Sequence, residues 1–239
     1  MVNLLIVDDN IYYTKSLVNY LLTKEPAVRL IGIATSGKET IKILSHNRVD
    51  LLILDLKMPG CNGLDILNQI DKLLLNHIPK IMVITGESDL LQKAIKNPYV
   101  SNYALKADDM VTTYQKISTL ILEARIEKTN SQSREKILRE LTYLGFNLKH
   151  IGTQYLLEAI LMIYNSNTKE GLENLEKYVY SALGSAHHKT PSNIKSNINK
   201  SIEYMFCESD FSILKNYFLL SSEIKPTAKL IISTVLEKI

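Results

Sequence analysis

The chain has 239 residues, 46% of them hydrophobic, which is enough for two domains of ordinary size, each with its own core. Its two cysteines, Cys61 and Cys207, lie far apart with neither metal-ligand spacing nor a pairing pattern, which argues against a disulfide scaffold and makes a reducing compartment, the cytosol, the expected location. Met1-Val2-Asn3 runs straight into a short apolar strand with no basic leader, no apolar run approaches the roughly 20 residues of a membrane span, and the net charge of +3 is too small to argue for nucleic acid by itself, so a soluble protein with no membrane partner is expected.

In chain order, the first half alternates β-branched apolar runs with helical patterns. Strands are expected at Leu4 to Val7, Val28 to Ala34, Leu51 to Leu54, Lys80 to Ile84 and Asn102 to Leu105. Apolar positions at three- and four-residue spacing predict helices over Asn10 to Lys24, Gly37 to Asn47, Gly63 to Leu75, Ser88 to Asn97 and Asp108 to Arg125. Five such units imply an α/β fold with a doubly wound, five-stranded parallel sheet, and the fully apolar strands agree with burial on both faces. Residues 127–133 lack any apolar side chain and read as a linker between a first domain, 1–126, and a second, 134–239.

The second domain shows helical patterns only: Arg134 to Leu144, Thr153 to Tyr164, a short one from Lys169, one ending near His187, Pro191 to Phe206, Phe211 to Leu220 and Thr227 to Ile239. Residues 1–127 carry 14 Lys/Arg and 14 Asp/Glu, whereas 128–239 carry 14 and 11, so all the positive excess belongs to the helical part. That permits a DNA partner without demanding one.

Ligand sites in open parallel sheets collect outside the C-terminal ends of the strands. Four of the five loops at that edge carry a notable residue: Asp8 and Asp9 after the first strand, Asp55 after the third, Thr85 at the fourth and Lys106 after the fifth. Three carboxylates brought together repel, and a hard divalent cation with oxygen ligands, Mg²⁺ above all, relieves that repulsion. A lysine and a hydroxyl beside them suit an anionic group. Taken singly, Asp9-Asn10 reads as a helix cap, Thr85-Gly86-Glu87 as a loop and Lys106 as a surface charge, but their joint occurrence at successive strand ends is not expected by chance. There is no Gly-rich phosphate loop, no nucleophile elbow and no second acid two residues beyond Asp55, so a catalytic enzyme is not expected.

With these motifs in order and in register, the first half resembles the receiver domain of two-component response regulators. The resemblance implies that Asp55 accepts a phosphoryl group from a histidine kinase or histidine phosphotransferase. It further implies that Asp8, Asp9, Asp55 and the Lys57 backbone carbonyl hold Mg²⁺, and that Lys106 and Thr85 bind the phosphoryl oxygens. Tyr103 stands where the family's second switch residue lies, and phosphorylation is expected to promote a homodimer. Ala107 replaces the proline usual after the lysine, and Asn62 stands where Asp is more frequent. Lys57 and Glu87, two residues beyond Asp55 and Thr85, are expected to pair across the route of an attacking water and slow dephosphorylation.

In the second half Thr190 is a good N-cap and Pro191 a good first helical residue. Ile194, Ile198, Ile202 and Met205 then form one stripe, which leaves Ser192, Asn193, Ser196, Asn199 and Lys200 on the other face. With a preceding helix from Tyr178 to about His187, this outlines a helix-turn-helix whose second helix would enter the major groove of double-stranded DNA through Lys189, Ser192, Asn193, Lys195, Ser196, Asn199 and Lys200. His187 and His188 read as helix-end cations rather than metal ligands.

Ile151 to Asn165, Thr190 to Glu203 and Lys225-Pro226-Thr227 resemble, in order, the C-terminal effector domain of the sporulation stage 0 master regulator family. The resemblance implies a phosphorylation-controlled transcription factor of sporulation or a related developmental programme. That family carries arginines on its recognition helix, whereas no arginine follows Arg139 here. The alternative is therefore a phosphate sink or antagonist that binds proteins rather than a specific DNA sequence.

Overall fold

The structure is a computed structural model and describes residues 1–60, 62–73, 75, 77–166 and 170–239; Cys61 and the expected helix start at Lys169 lie outside these. The chain divides into two compact units, Met1–Lys128 and Thr129–Ile239.

In the first unit β1 (Val2–Val7), β2 (Val28–Ala34), β3 (Leu51–Leu54), β4 (Lys80–Thr85) and β5 (Val100–Leu105) form one parallel sheet in the order β2-β1-β3-β4-β5. Helices α1 (Ile11–Lys24), α2 (Gly37–His46), α3 (Gly63–Leu67) and α4 (Ser88–Ala94) fill the crossovers. Successive strand residues point to opposite faces. Leu5, Val7, Leu52, Leu54, Ile81 and Val83 therefore enter one core, while Leu4, Ile6, Leu51, Ile53, Met82 and Ile84 enter the other. Both faces are covered, which explains why the central strands read as unbroken apolar runs. The helix expected to reach Leu75 is shorter: α3 ends at Leu67 and a 3₁₀ turn occupies Ile70–Leu73.

Helix α5 (Met110–Tyr143) is one continuous helix where two helices and a linker were expected. Ile117, Leu120, Ile121 and Ala124 serve the core of the first unit, Ile137 and Leu141 serve that of the second, and residues 125–132 add no side chain to either hydrophobic core. The polar stretch 127–133 thus reported the absence of apolar core side chains, not of a helix. With no Gly or Pro between 110 and 143, nothing in the backbone interrupts the hydrogen-bond ladder.

The second unit comprises α6 (Ile151–Ser166), α7 (Glu170–Glu173), a π-turn at Glu176–Tyr180 that leads into α8 (Ser181–Ala186), α9 (Pro191–Glu208), α10 (Phe211–Phe218) and α11 (Ala228–Lys238). Ile160, Ile163, Ile194, Ile198, Ile202, Met205, Ile231 and Ile232 share its core. Helices α6 and α9 cross so closely that a Cβ at Gly152 would lie 1.9 Å from the Asn197 carbonyl oxygen, which only glycine permits. Among the described residues no helix is long and apolar enough to cross a membrane.

Candidate functional site

Strand register builds the acidic site. Val7 pairs with Leu54, so the next residue on each strand, Asp8 and Asp55, leaves the sheet side by side. The Asp55 amide donates to the Val7 carbonyl at 2.8 Å and fixes that junction. Thr85 pairs with Leu105, and the Lys106 amide donates to the Thr85 carbonyl at 2.9 Å, which brings the lysine out beside them. At Gly63, the first residue of α3, a Cβ would lie 2.3 Å from the Asp55 carbonyl oxygen, so glycine lets this helix start close against the acidic loop. Asn62 caps α3 in a reciprocal capping box with Asp65.

The side chains converge as expected. Asp8 and Asp55 are buried and Asp9 is exposed, and each offers an oxygen within 4.8 Å of the others, close enough for one hard cation to draw on all three. This acidic triad is consistent with a divalent metal site. The Lys106 ammonium donates to Asp8 Oδ2 at 2.8 Å and to Asp55 Oδ2 at 2.6 Å. On their other oxygens, Asp8 accepts from the Asn10 amide at 2.8 Å and Asp55 from the Lys57 amide at 3.2 Å. Burial pushes the Asp8 carboxyl above the usual carboxylate range despite its lysine partner. Burial alone would depress the Lys106 ammonium, but the two carboxylates outweigh it and hold it above the ordinary lysine value. Three acids against one lysine leave the site short of positive charge.

Thr85 is fully buried at the end of β4, its hydroxyl accepting from the Glu87 amide at 3.3 Å. The Lys57 ammonium donates to the Glu87 carboxylate, so the pairing expected from their spacing is present. Tyr103 is exposed, with its carbonyl accepting from Lys116 Nζ at 2.9 Å and that ammonium over its ring. The Lys106–Ala107 peptide bond is trans.

Two contributors had no signal in the sequence. The ring of Tyr13, on the first turn of α1, lies under the Lys106 ammonium at 5.1 Å, and burial pushes its phenol up to about 12. The second is the Asn10 amide, whose role depends on the turn that follows Asp8.

In the helical unit the expected stripe is buried at Ile194, Ile198, Ile202 and Met205, and Lys189, Ser192, Asn193, Lys195, Ser196, Asn199 and Lys200 are all exposed. The Thr190 hydroxyl accepts from the Asn193 amide at 3.2 Å, and Pro191 opens α9. Helix α8 ends with His188 at φ 54°, its amide and that of Lys189 directed back to Ser185 and Gly184, which turns the chain sharply into α9. His187 is no free helix-end cation: its Nε2 lies 2.7 Å from Glu158 Oε2 on α6. Lys195 Nζ donates to Glu176 Oε2 at 2.9 Å, so an acid from the π-turn pairs with one of the three expected cations, Lys189, Lys195 and Lys200. No spacing rule could have shown that pair.

A family model described as "Response regulator receiver domain" matches residues 4–125, more than half of the chain, and one described as "Sporulation initiation factor Spo0A C terminal" matches residues 135–239. Among solved structures, a LuxR-family DNA-binding response regulator from Staphylococcus aureus is 24% identical with a TM-score of 0.45, over 50% of this chain and 98% of its own. The REC domain of AraT from Geobacillus stearothermophilus is 26% identical with a TM-score of 0.46, over 54% and 99%. A CheY-like receiver domain protein from Methanospirillum hungatei JF-1 is 23% identical with a TM-score of 0.46, over 53% and 98%. With one family model over the sheet and its acidic edge and the other over the helices around α9, the chain belongs to the Spo0A-type response regulators.

Proposed function

We propose that this protein is a phosphorylation-controlled transcription factor in which Asp55 is the phosphoryl acceptor. The observation that carries this reading is the position of its carboxylate: buried at the end of β3, with Lys106 on one oxygen and the Lys57 amide on the other. An Asp55 oxygen attacks the phosphorus of a phosphohistidine on a histidine kinase or phosphotransferase, and the P–N bond breaks towards the imidazole. Lys106 follows the negative charge onto the phosphoryl oxygens, where its ammonium stabilises the transition state. Asp8, Asp9, Asp55 and the Lys57 carbonyl would hold Mg²⁺, whose chemistry there is to neutralise the phosphoryl oxygens. Thr85 then releases the Glu87 amide to bind the phosphoryl group, Tyr103 moves inward behind it, and the receivers dimerise. Lys57 and Glu87 pair above the acceptor and hinder water.

Incubation of the full chain with acetyl phosphate and Mg²⁺ should give a phosphorylated species, absent in Asp55→Asn and after chelation. An Asp55→Asn protein modified as well as wild type would remove this reading. The phosphoryl half-life should shorten in Lys57→Ala and Glu87→Ala, and unchanged half-lives in both would exclude the hindrance.

The output is DNA binding by α9, with Asn193 and Asn199 suited to adenine edges and Lys189, Lys195 and Lys200 to phosphates. A second reading, a phosphate sink or antagonist that pairs with another regulator, is favoured by two observations: no arginine follows Arg139, and Glu176 occupies Lys195. Selection from random DNA by the phosphorylated protein separates them, since an enriched sequence supports the first and none supports the second. If α9 does bind DNA, Glu176→Gln should free Lys195 for a phosphate and steepen the salt dependence by about one unit of slope.

A further inference from the structure

The Lys106 ammonium has three N–H donors, and two are committed to Asp8 and Asp55. Those carboxylates are also the groups that metal and phosphoryl chemistry would engage, so they cannot anchor the lysine unchanged throughout a reaction. The third neighbour is of another kind: the ring of Tyr13, its centroid 5.1 Å from Nζ, within the range where a cation is drawn to an aromatic face. A ring accepts charge without competing for an oxygen ligand and without adding a fourth acid to a site already short of positive charge. Tyr13 belongs to α1, whose start is fixed by the Asn10 side chain accepting from the Tyr12 and Tyr13 amides at 3.1 Å each. Asn10 is in turn tied through its own amide to Asp8. The turn of α1 that carries the ring is therefore registered to Asp8.

We infer that Tyr13 is a positioning residue for Lys106, its ring face holding the ammonium at the acceptor site while the carboxylates exchange partners. This rests on the reading of Asp55 as phosphoryl acceptor. The role depends on the ring and not on the hydroxyl or on bulk. In the full chain, the rate of phosphorylation by acetyl phosphate in saturating Mg²⁺ should stay within about twofold of wild type in Tyr13→Phe and Tyr13→Trp. It should fall about five- to tenfold in Tyr13→Leu and Tyr13→Met, which fill similar space without a π face. Thermal midpoints measured alongside separate loss of positioning from loss of fold, and the aromatic variants provide the rescue. Leu and Met variants as fast as Phe would overturn the inference, as would a Phe variant as slow as Leu. A wild-type protein that takes up no phosphoryl group would instead overturn the reading on which the inference rests.

Discussion

Strand β3 has a buried aspartate beside each end, and the two are solved in opposite ways. Asp50, before its first residue, is saturated: its oxygens receive Lys128 Nζ at 2.5 Å, Arg48 Nε at 2.9 Å and the Asn3 amide at 2.9 Å. Asp55, after its last residue, shares one lysine with Asp8 while Asp9 stands by. The first arrangement has a cation for every charge and leaves no opening for a ligand. The second is short of positive charge, which costs stability and leaves room for an incoming cation. Burial of the carboxylate therefore does not distinguish the two sites; the charge balance around it does.

The largest test of this contrast is Asp50→Ala, which strands two cations, one of them mostly buried. It should destabilise the protein by about 3–5 kcal/mol in urea unfolding; a loss under about 1 kcal/mol would dissolve the distinction. Burial pushes the Asp50 carboxyl up, but Lys128, the Asn3 amide and Arg48 outweigh it and hold it below the usual range. A depressed carboxylate contributes stability above its unfolded pKa of about 3.9 and loses it as pH falls through the lower folded value. The acid limb of unfolding below that pH should therefore flatten in Asp50→Asn.

Next in size is metal. Mg²⁺ at a hundredfold excess over its Kd should stabilise wild type by about 2.7 kcal/mol, read as a raised thermal midpoint, and far less in Asp9→Asn. Equal stabilisation of both would place the cation elsewhere.

The smallest effect is Asp8→Asn, which in metal-free buffer at neutral pH should stabilise by up to about 1 kcal/mol. The sign follows from burial: a carboxyl raised above its unfolded value costs stability once ionised, and the cost disappears as pH falls through the folded pKa. A destabilised Asp8→Asn would mean that its lysine contact outweighs burial.

Much of the receiver was legible from residue order. Alternation along β1, β3 and β4 dictates which face each side chain enters, and chemistry placed one residue beyond each strand end must meet at one edge once the strands are parallel and in register. Asp8, Asp9, Asp55, Thr85, Lys106 and the Lys57–Glu87 pair were all visible in this way. Tyr13 was not, because its ring reaches Lys106 only through the packing of α1 near the end of β5. In the helical unit the buried stripe of α9 was equally legible from its period, as was the Thr190-Pro191 start. The partner of Lys195 was not: Glu176 comes from a π-turn, and no periodicity reports how a neighbouring turn packs. His188 shows the same limit, since a histidine occupies the left-handed position that glycine would have announced.

By itself the amino-acid sequence determined the five parallel strands, the all-helical second unit, the acidic edge and the polar face of α9, because each follows from local period and from where polar residues interrupt it. Only the tertiary structure decided that residues 127–133 continue α5, that Asp50 is saturated while the Asp8–Asp55 pair is not, and that Lys195 and Lys106 have Glu176 and Tyr13 as neighbours. The reason is physical: composition reports whether a segment is buried, while hydrogen-bond ladders and charge balance are settled by residues far apart in the chain.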